Sequence, residues 1–510
     1  MLARLKSVTL EGIDGTLCEV EVDVGRGGFE RTIIVGLPDT AVKESVERVR
    51  SAIGNSGFPY PKTQSLVNLA PADVKKEGPA FDLPIALGML VGQGCLKGES
   101  LADAMIVGEL ALDGRIRPVN GVLSRVMTAR DNGLRRVIVP HENADEAAVV
   151  KGVHVYGVRS LAQAVAFFCE EVVIEPTVLD HTALFAKAGR YDVDFSNVRG
   201  QENAKRALTV AAAGSHNILL LGSPGVGKTM LAQRLATILP PLSWTESLET
   251  TRIYSSMGLL SKGQSLMAQR PVRMPHHSAS GAALVGGGPN AKAGELSLAH
   301  NGVLFLDEFA EFPRSVLEMI RQPLEDGTVT VSRVRRTITY PARFICVASL
   351  NPCPCGYYGA GTKRCRCTPN QIERYLSKVS GPLMDRIDIH IDVPAMTFEK
   401  LYSKNENTVS SAEIRARVLA ARQIQIERFG SDGVENNGTM THSQVERYCP
   451  LDANGKMMLK NAMTEFGLSA RAHDKICKVA RTLADLEPSD NIKAEHIAEA
   501  IGYRRLDRKF

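Results

Sequence analysis

The chain has 510 residues, 44% hydrophobic and 23% charged, with a formal net charge of +5. The length points to about three domains and the composition to a soluble globular protein, while so small a net charge leaves nucleic-acid binding to be argued from local basic patches alone. No apolar run reaches the roughly 20 residues that span a bilayer, and Met1-Leu2-Ala3-Arg4-Leu5-Lys6-Ser7 lacks the apolar core of a signal peptide, so a cytoplasmic protein with no membrane partner is expected.

Residues 1–170 alternate strand-like and helical runs. Thr32-Ile33-Ile34-Val35 and Arg136-Val137-Ile138-Val139 read as short strands closed by Gly36 and Pro140, and Val42, Val46, Val49 and Ile53 recur at helical spacing between them. Residues 171–192 mix polar, acidic and short apolar pieces and read as a linker. A second α/β unit occupies 193–394, ending after the strand-like Ile387-Asp388-Ile389-His390-Ile391. From 395 to 510 the pattern is helical, with Ile414, Val418, Ile424 and Ile426 on one face and Ile476, Val479, Leu483 and Leu486 on another.

The second unit carries the most specific signal. Gly222-Ser223-Pro224-Gly225-Val226-Gly227-Lys228-Thr229 fits the phosphate-cradling pattern G-x-x-x-x-G-K-[ST], follows the apolar run Asn217–Leu221 and precedes a helical stretch from Met230. In that context the loop N–H groups close around phosphates, Lys228 reaches the β- and γ-phosphates, and the Thr229 hydroxyl ligates Mg²⁺. Val303-Leu304-Phe305-Leu306 is a buried-strand pattern ending in Asp307-Glu308. Asp307 suits the Mg²⁺ shell, and Glu308, pointing elsewhere, can polarise the attacking water as general base. Two acids solvating a strand end are the bland alternative. Beside a complete phosphate loop, they point to a nucleotide hydrolase.

Ten cysteines in a reducing compartment are expected to be free thiols or metal ligands. Cys18, Cys95, Cys169, Cys346, Cys449 and Cys477 are scattered, mostly in apolar surroundings. Cys353, Cys355, Cys365 and Cys367 cluster as two C-x-C pairs that can surround one Zn²⁺, although the usual knuckle is C-x-x-C and free or redox-labile thiols are the alternative. The segment 328–339 alternates as two short strands about a basic tip with Arg333, Arg335 and Arg336. These arginines suit a phosphate backbone; alternatively they only discourage edge pairing.

Taken in order, Gly222–Thr229, Leu306-Asp307-Glu308, Ser349-Leu350-Asn351-Pro352 and Gly381-Pro382-Leu383-Met384-Asp385-Arg386 resemble the motifs of an AAA+ ATPase of the magnesium-chelatase-related branch. Within it, Arg273-Met274-Pro275-His276-His277-Ser278 and Gly294–Gly302 resemble the YifB/ComM family. The resemblance covers essentially the whole chain. It implies ATP as the nucleotide, Asn351 as a sensor that orients the attacking water, Arg386 as an arginine finger acting in a neighbouring subunit, Arg471 as a second sensor in a C-terminal helical lid, and a homohexameric ring. A salt bridge from Arg386 to Asp385 or Asp388, and a solvated Arg471, are the alternatives. In related proteins the hairpin before the first sensor points into the ring's pore. The function implied is a helicase acting on single-stranded or branched DNA, promoting branch migration in natural transformation and homologous recombination with other recombination proteins as further partners. The alternative is a magnesium-chelatase-like remodeller of a protein or metal-insertion partner.

Residues 1–170 resemble the α+β proteolytic domain of Lon, of the ribosomal S5 domain 2 type, and the C-terminal domain of the recombination protein RadA. The resembling pieces are Lys76–Asp82, Val107–Leu110, Gly114–Val119 and Val137–Pro140. The positions of the serine nucleophile and the catalytic lysine hold Ala80 and Leu123. Neither a methyl nor a leucine side chain can attack a carbonyl or take a proton, so peptidase activity is not expected. The resulting expectation is an α/β protein: a Lon-protease-like domain, a linker, an AAA+ core and a helical lid.

Overall fold

The computed structural model describes residues 2–25, 27, 29–180, 191–288, 291–333, 336–359, 364–395 and 409–504, without the side chains of 333 and 336. It forms two compact units, Met1–Lys187 with Trp244–Ala268, and Ala188–Ser243 with Gln269–Phe510.

The first unit is built on a seven-stranded sheet in the order Arg31–Val35, Gln64–Ala70, Asp14–Val24, Leu2–Glu11, Ala104–Ile106, Arg136–Pro140 and His154–Val158. Leu2–Glu11 pairs antiparallel with Asp14–Val24 and parallel with Ala104–Ile106, so the sheet is mixed. Alternate residues Cys18, Val20, Val22 and Val24 are buried, as a strand with one covered face requires. The helix Asp82–Gly92 is buried along almost its whole length and packs on that strand. Gly88 permits the approach, since a Cβ there would lie 2.5 Å from a Val22 methyl. Ala80 and Leu123 are buried in one apolar cluster, so core side chains fill both positions where the Lon resemblance looks for reacting groups.

The stretch 193–394 is not one continuous unit. Trp244–Ala268 leaves the nucleotide-site fold and joins the first unit, with Trp244–Ser256 as a helix. Arg252 holds it there, donating to the Ile13 carbonyl at 2.8 Å, Asp14 at 2.9 Å and the Ser124 hydroxyl at 3.2 Å, and the Ser255 hydroxyl bonds buried Glu146. Polar residues at helical spacing gave no sign of this transfer, because their partners lie more than a hundred residues away in sequence.

The second unit has a five-stranded parallel sheet in the order Val272–Arg273, Gly302–Leu306, Phe344–Leu350, Ile218–Leu221 and Ile389–Asp392. Its central strands are buried on both faces, which is why they read as unbroken apolar runs. Five α-helices between Ser411 and Gly502 follow. Their first buried face differs from the sequence reading: Ile414, Val418, Ala421, Gln425 and Phe429 point inward and Ile426 is exposed. Gln425 can sit inside because its amide donates to the Ala213 carbonyl and accepts from Asn437 N–H. Ile476, Val479 and Leu483 are buried as expected. Among the described residues no helix is long and apolar enough to cross a membrane.

In the first unit Arg48 makes a two-pronged bond to Asp82, at 2.8 and 3.0 Å, and burial pushes the Asp82 carboxyl up to about 6 despite that partner. Arg48→Ala strands a buried carboxylate and should cost about 3 kcal/mol of unfolding free energy. Denaturant unfolding at pH 7 checks this, and Asp82→Asn added to Arg48→Ala should recover part of the loss.

Candidate active site

All five strands of the second sheet run in one direction, so their carboxyl ends open on one edge, where open α/β sheets bind ligands. The strand Ile218–Leu221 ends there in the glycine loop, and Lys228–Ile238 forms the helix behind it. Gly227 caps that helix with φ 95°, a backbone that L side chains rarely adopt, which explains glycine at this point of the motif. Gly222, Ser223, Pro224, Gly225 and Val226 complete the turn. Lys228 is folded over it, donating to the Gly222 carbonyl at 2.5 Å, the Ser223 carbonyl at 3.1 Å and the Asn351 side-chain oxygen at 3.0 Å. Burial lowers the Lys228 ammonium from its usual range, and Asp307 and Glu308 oppose that shift.

The neighbouring strand Gly302–Leu306 delivers Asp307 to the same edge. One oxygen of Asp307 accepts from the Thr229 hydroxyl at 2.9 Å, and the other from the Ser349 hydroxyl and from Glu308 N–H at 3.0 Å. Glu308 follows with φ 52°, left-handed backbone that a non-glycine residue adopts only where its surroundings hold it. Adjacent carboxylates thereby part company: Asp307 stays with Thr229, and Glu308 Oε2 lies 3.2 Å from His277 Nδ1. Ser349 and His277 were missed as site residues in the sequence. Both stand in quoted motifs, but only tertiary pairing shows their targets.

A hydroxyl and a carboxylate 2.9 Å apart beside a phosphate loop fit a Mg²⁺ shell, and the three loop-facing acceptors of Lys228 are replaceable by phosphate oxygens. The cysteines also fit an ion. The sulfurs of Cys353, Cys355, Cys365 and Cys367 all lie within 4.8 Å of one another. Cys353 to Cys355, Cys353 to Cys365 and Cys355 to Cys365 are 3.3, 3.7 and 3.6 Å, against roughly 3.8 Å for thiolates on a tetrahedral ion with bonds near 2.3 Å. Backbone N–H groups of Arg366 and Tyr357 pull the Cys355 thiol down to about 6, favouring the thiolate a metal needs. The C-x-C spacing therefore does not prevent four sulfurs from meeting.

The other expected residues stand further off. Arg386 is 12% exposed, donates to the Pro382 carbonyl at 2.6 Å and pairs with Glu325. Neither Asp385 nor Asp388 holds it. Burial would raise the Asp388 carboxyl, but Lys475 at 2.6 Å and His216 outweigh that and keep it below the carboxylate range. Arg471 is exposed at the first turn of the helix Ala470–Leu486. The basic hairpin is present as Thr328–Arg333 paired antiparallel with Arg336–Pro341, while Arg335 and the side chains of Arg333 and Arg336 lie outside the described residues.

Comparison with known proteins agrees with this arrangement. Three family profiles match: "Magnesium chelatase, subunit ChlI" over residues 194–401, "Subunit ChlI of Mg-chelatase" over 20–143, and "Magnesium chelatase, subunit ChlI C-terminal" over 408–504. Competence protein ComM of Haemophilus influenzae is 43% identical over 511 residues, covering 99% of this chain and 98% of that protein. The chain belongs to the YifB/ComM family. The YifB protein of Escherichia coli is likewise 43% identical, over 98% of this chain and 96% of its own length. Lon protease 2 of Bacillus subtilis is 23% identical over 180 residues, covering 32% of this chain and 31% of that protease. Membership in this magnesium-chelatase-like AAA+ family carries ATPase activity with it, and the phosphate loop, Lys228, Thr229, Asp307 and Asn351 stand where such an activity needs them.

Replacing Cys365 and Cys367 together by serine removes two of four sulfurs. Elemental analysis of protein purified under reducing conditions should find about one metal ion per parent chain and none in the double variant.

Proposed function

We propose that this chain is an ATP-driven motor on DNA, working as a hexameric ring and promoting branch migration when DNA is taken up and recombined. The observation that carries the ATPase half is the convergence of Lys228, Asn351, Thr229 and Asp307 at the carboxyl ends of three adjacent strands. The DNA half is supported by the antiparallel hairpin whose tip holds Arg333, Arg335 and Arg336, in a chain 43% identical to a protein named for competence. Six such tips in a ring would line a pore with positive charge that matches a phosphate backbone.

Within the site, the loop N–H groups and Lys228 bind and orient the phosphates, and Thr229 and Asp307 hold the metal. Mg²⁺, when bound, neutralises charge on the phosphate oxygens. Glu308 takes the proton of the attacking water, and Asn351 orients that water. Arg386 supplies its charge to a neighbouring subunit, which requires its intrachain bond to Glu325 to open on assembly. Arg471 acts from the lid. Zn²⁺ in the four-cysteine site is structural, since four thiolates leave no open position for chemistry. The first unit serves as a platform without peptidase activity, given apolar Ala80 and Leu123. The second reading, a remodeller of a protein or metal-insertion partner, is favoured by the magnesium-chelatase names of all three profiles.

ATP hydrolysis measured with and without single-stranded or branched DNA separates the two. The motor should be stimulated. Joint replacement of Arg333, Arg335 and Arg336 by alanine should spare basal hydrolysis, abolish the stimulation and flatten the salt dependence of DNA binding, by a slope of roughly 0.7 to 0.9 per lost phosphate contact. Hydrolysis indifferent to every DNA tested would favour the remodeller.

A further inference from the structure

The reading of Glu308 as general base leaves open what aims its carboxylate. Glu308 closes a strand with left-handed backbone, and its side chain is 50% exposed. A long carboxylate in that setting has several rotamers available, and a base that wanders from its water loses catalytic power. The adjacent Asp307 cannot steady it, because both its oxygens are already engaged with Thr229, Ser349 and the Glu308 N–H.

His277 reaches it from the next strand over. Val272–Arg273 pairs parallel with Val303-Leu304, so the chain leaving Arg273 emerges at the same sheet edge as Asp307-Glu308. That exit is anchored: Arg273 donates to both oxygens of Glu295, at 2.6 and 2.7 Å. Four residues beyond the anchor, the His277 ring is stacked on His276 with centroids 4.1 Å apart and meets the edge of Phe312 at 6.5 Å. His276 is fixed in turn, its Nδ1 lying 2.8 Å from the Ser278 hydroxyl. The imidazole is therefore wedged by its neighbours, with Nδ1 left 3.2 Å from Glu308 Oε2.

We infer that His277 is the positioning residue of the hydrolytic base: it fixes the Glu308 carboxylate for the attacking water and touches neither nucleotide nor metal. The inference rests on Glu308 acting as the base. It differs from a packing role in its consequences, because it predicts a loss confined to the chemical step. A residue that only stabilises the loop would weaken nucleotide binding or stability and would act independently of Glu308.

The test is steady-state ATP hydrolysis and nucleotide binding by the full chain in four variants. His277→Ala should lower kcat about tenfold while KM for ATP, and the Kd of a non-hydrolysable ATP analogue, stay within about twofold. His277→Asn, whose amide nitrogen lies near the position of Nδ1, should return kcat to within about threefold of the parent. In a Glu308→Gln background, His277→Ala should cost nothing further, since a residue acting through the base has nothing left to position. His277→Ala hydrolysing at the parent rate, or the same loss in both backgrounds, would overturn the inference while leaving Glu308 as base. Glu308→Gln hydrolysing at the parent rate overturns the underlying reading and this inference with it. Should His277→Ala fail to fold, the asparagine variant carries the test: its kcat falling as far as that of a Glu308→Gln enzyme contradicts positioning by a side-chain donor.

Discussion

The carboxylate of Asp307 is the point on which the nucleotide site depends. Three segments far apart in sequence reach it: Thr229 from the phosphate loop, Ser349 from the strand Phe344–Leu350 and the backbone of Glu308. Such a meeting is possible only because the strands Gly302–Leu306, Phe344–Leu350 and Ile218–Leu221 lie side by side and run in one direction, so that their last residues share an edge. The register fixes it further, with Leu306 opposite Ala348 and Leu221 opposite Leu350. A slip of one residue would turn Ser349 to the other face and separate hydroxyl from carboxylate.

The same edge explains why a metal-binding loop sits beside a nucleotide loop. Asn351, which accepts from Lys228, is followed within two residues by Cys353. Three residues later Gly356 adopts φ 80° and packs so closely on Pro224 that a Cβ would come within 2.5 Å of its ring. Any ion held by the four sulfurs therefore stiffens a loop that leans on the phosphate cradle and begins at the water-orienting amide. On this account the cysteines shape catalysis mechanically, without contributing a reacting group.

Sequence carried much of this and missed definable parts. The phosphate loop, Asp307, Glu308 and Asn351 were legible because phosphate binding demands particular residue types at fixed spacing within short segments. The cysteine cluster was legible as composition, and the meeting of its sulfurs needed the loop's geometry. Ser349 and His277 were not legible as partners, since their significance lies in which strands are neighbours. The helix Trp244–Ser256 misled because its attachments, Arg252 to Ile13 and Asp14 and Ser255 to Glu146, are all long-range. Ile426 misled for a different reason: buried Gln425, satisfied on both sides of its amide, took the inward position that hydrophobic periodicity gave to its neighbour.

The central claim is that binding and hydrolysis of ATP are separable at this edge, with Lys228 serving the first and Glu308 the second. The most direct measurement is a paired titration of ATP binding and single-turnover hydrolysis in Lys228→Ala and Glu308→Gln protein. The account predicts that Lys228→Ala loses ATP affinity, whereas Glu308→Gln binds ATP like the parent and hydrolyses it at least about a hundredfold more slowly. Parent-like hydrolysis by Glu308→Gln, or undiminished affinity in Lys228→Ala, would contradict it.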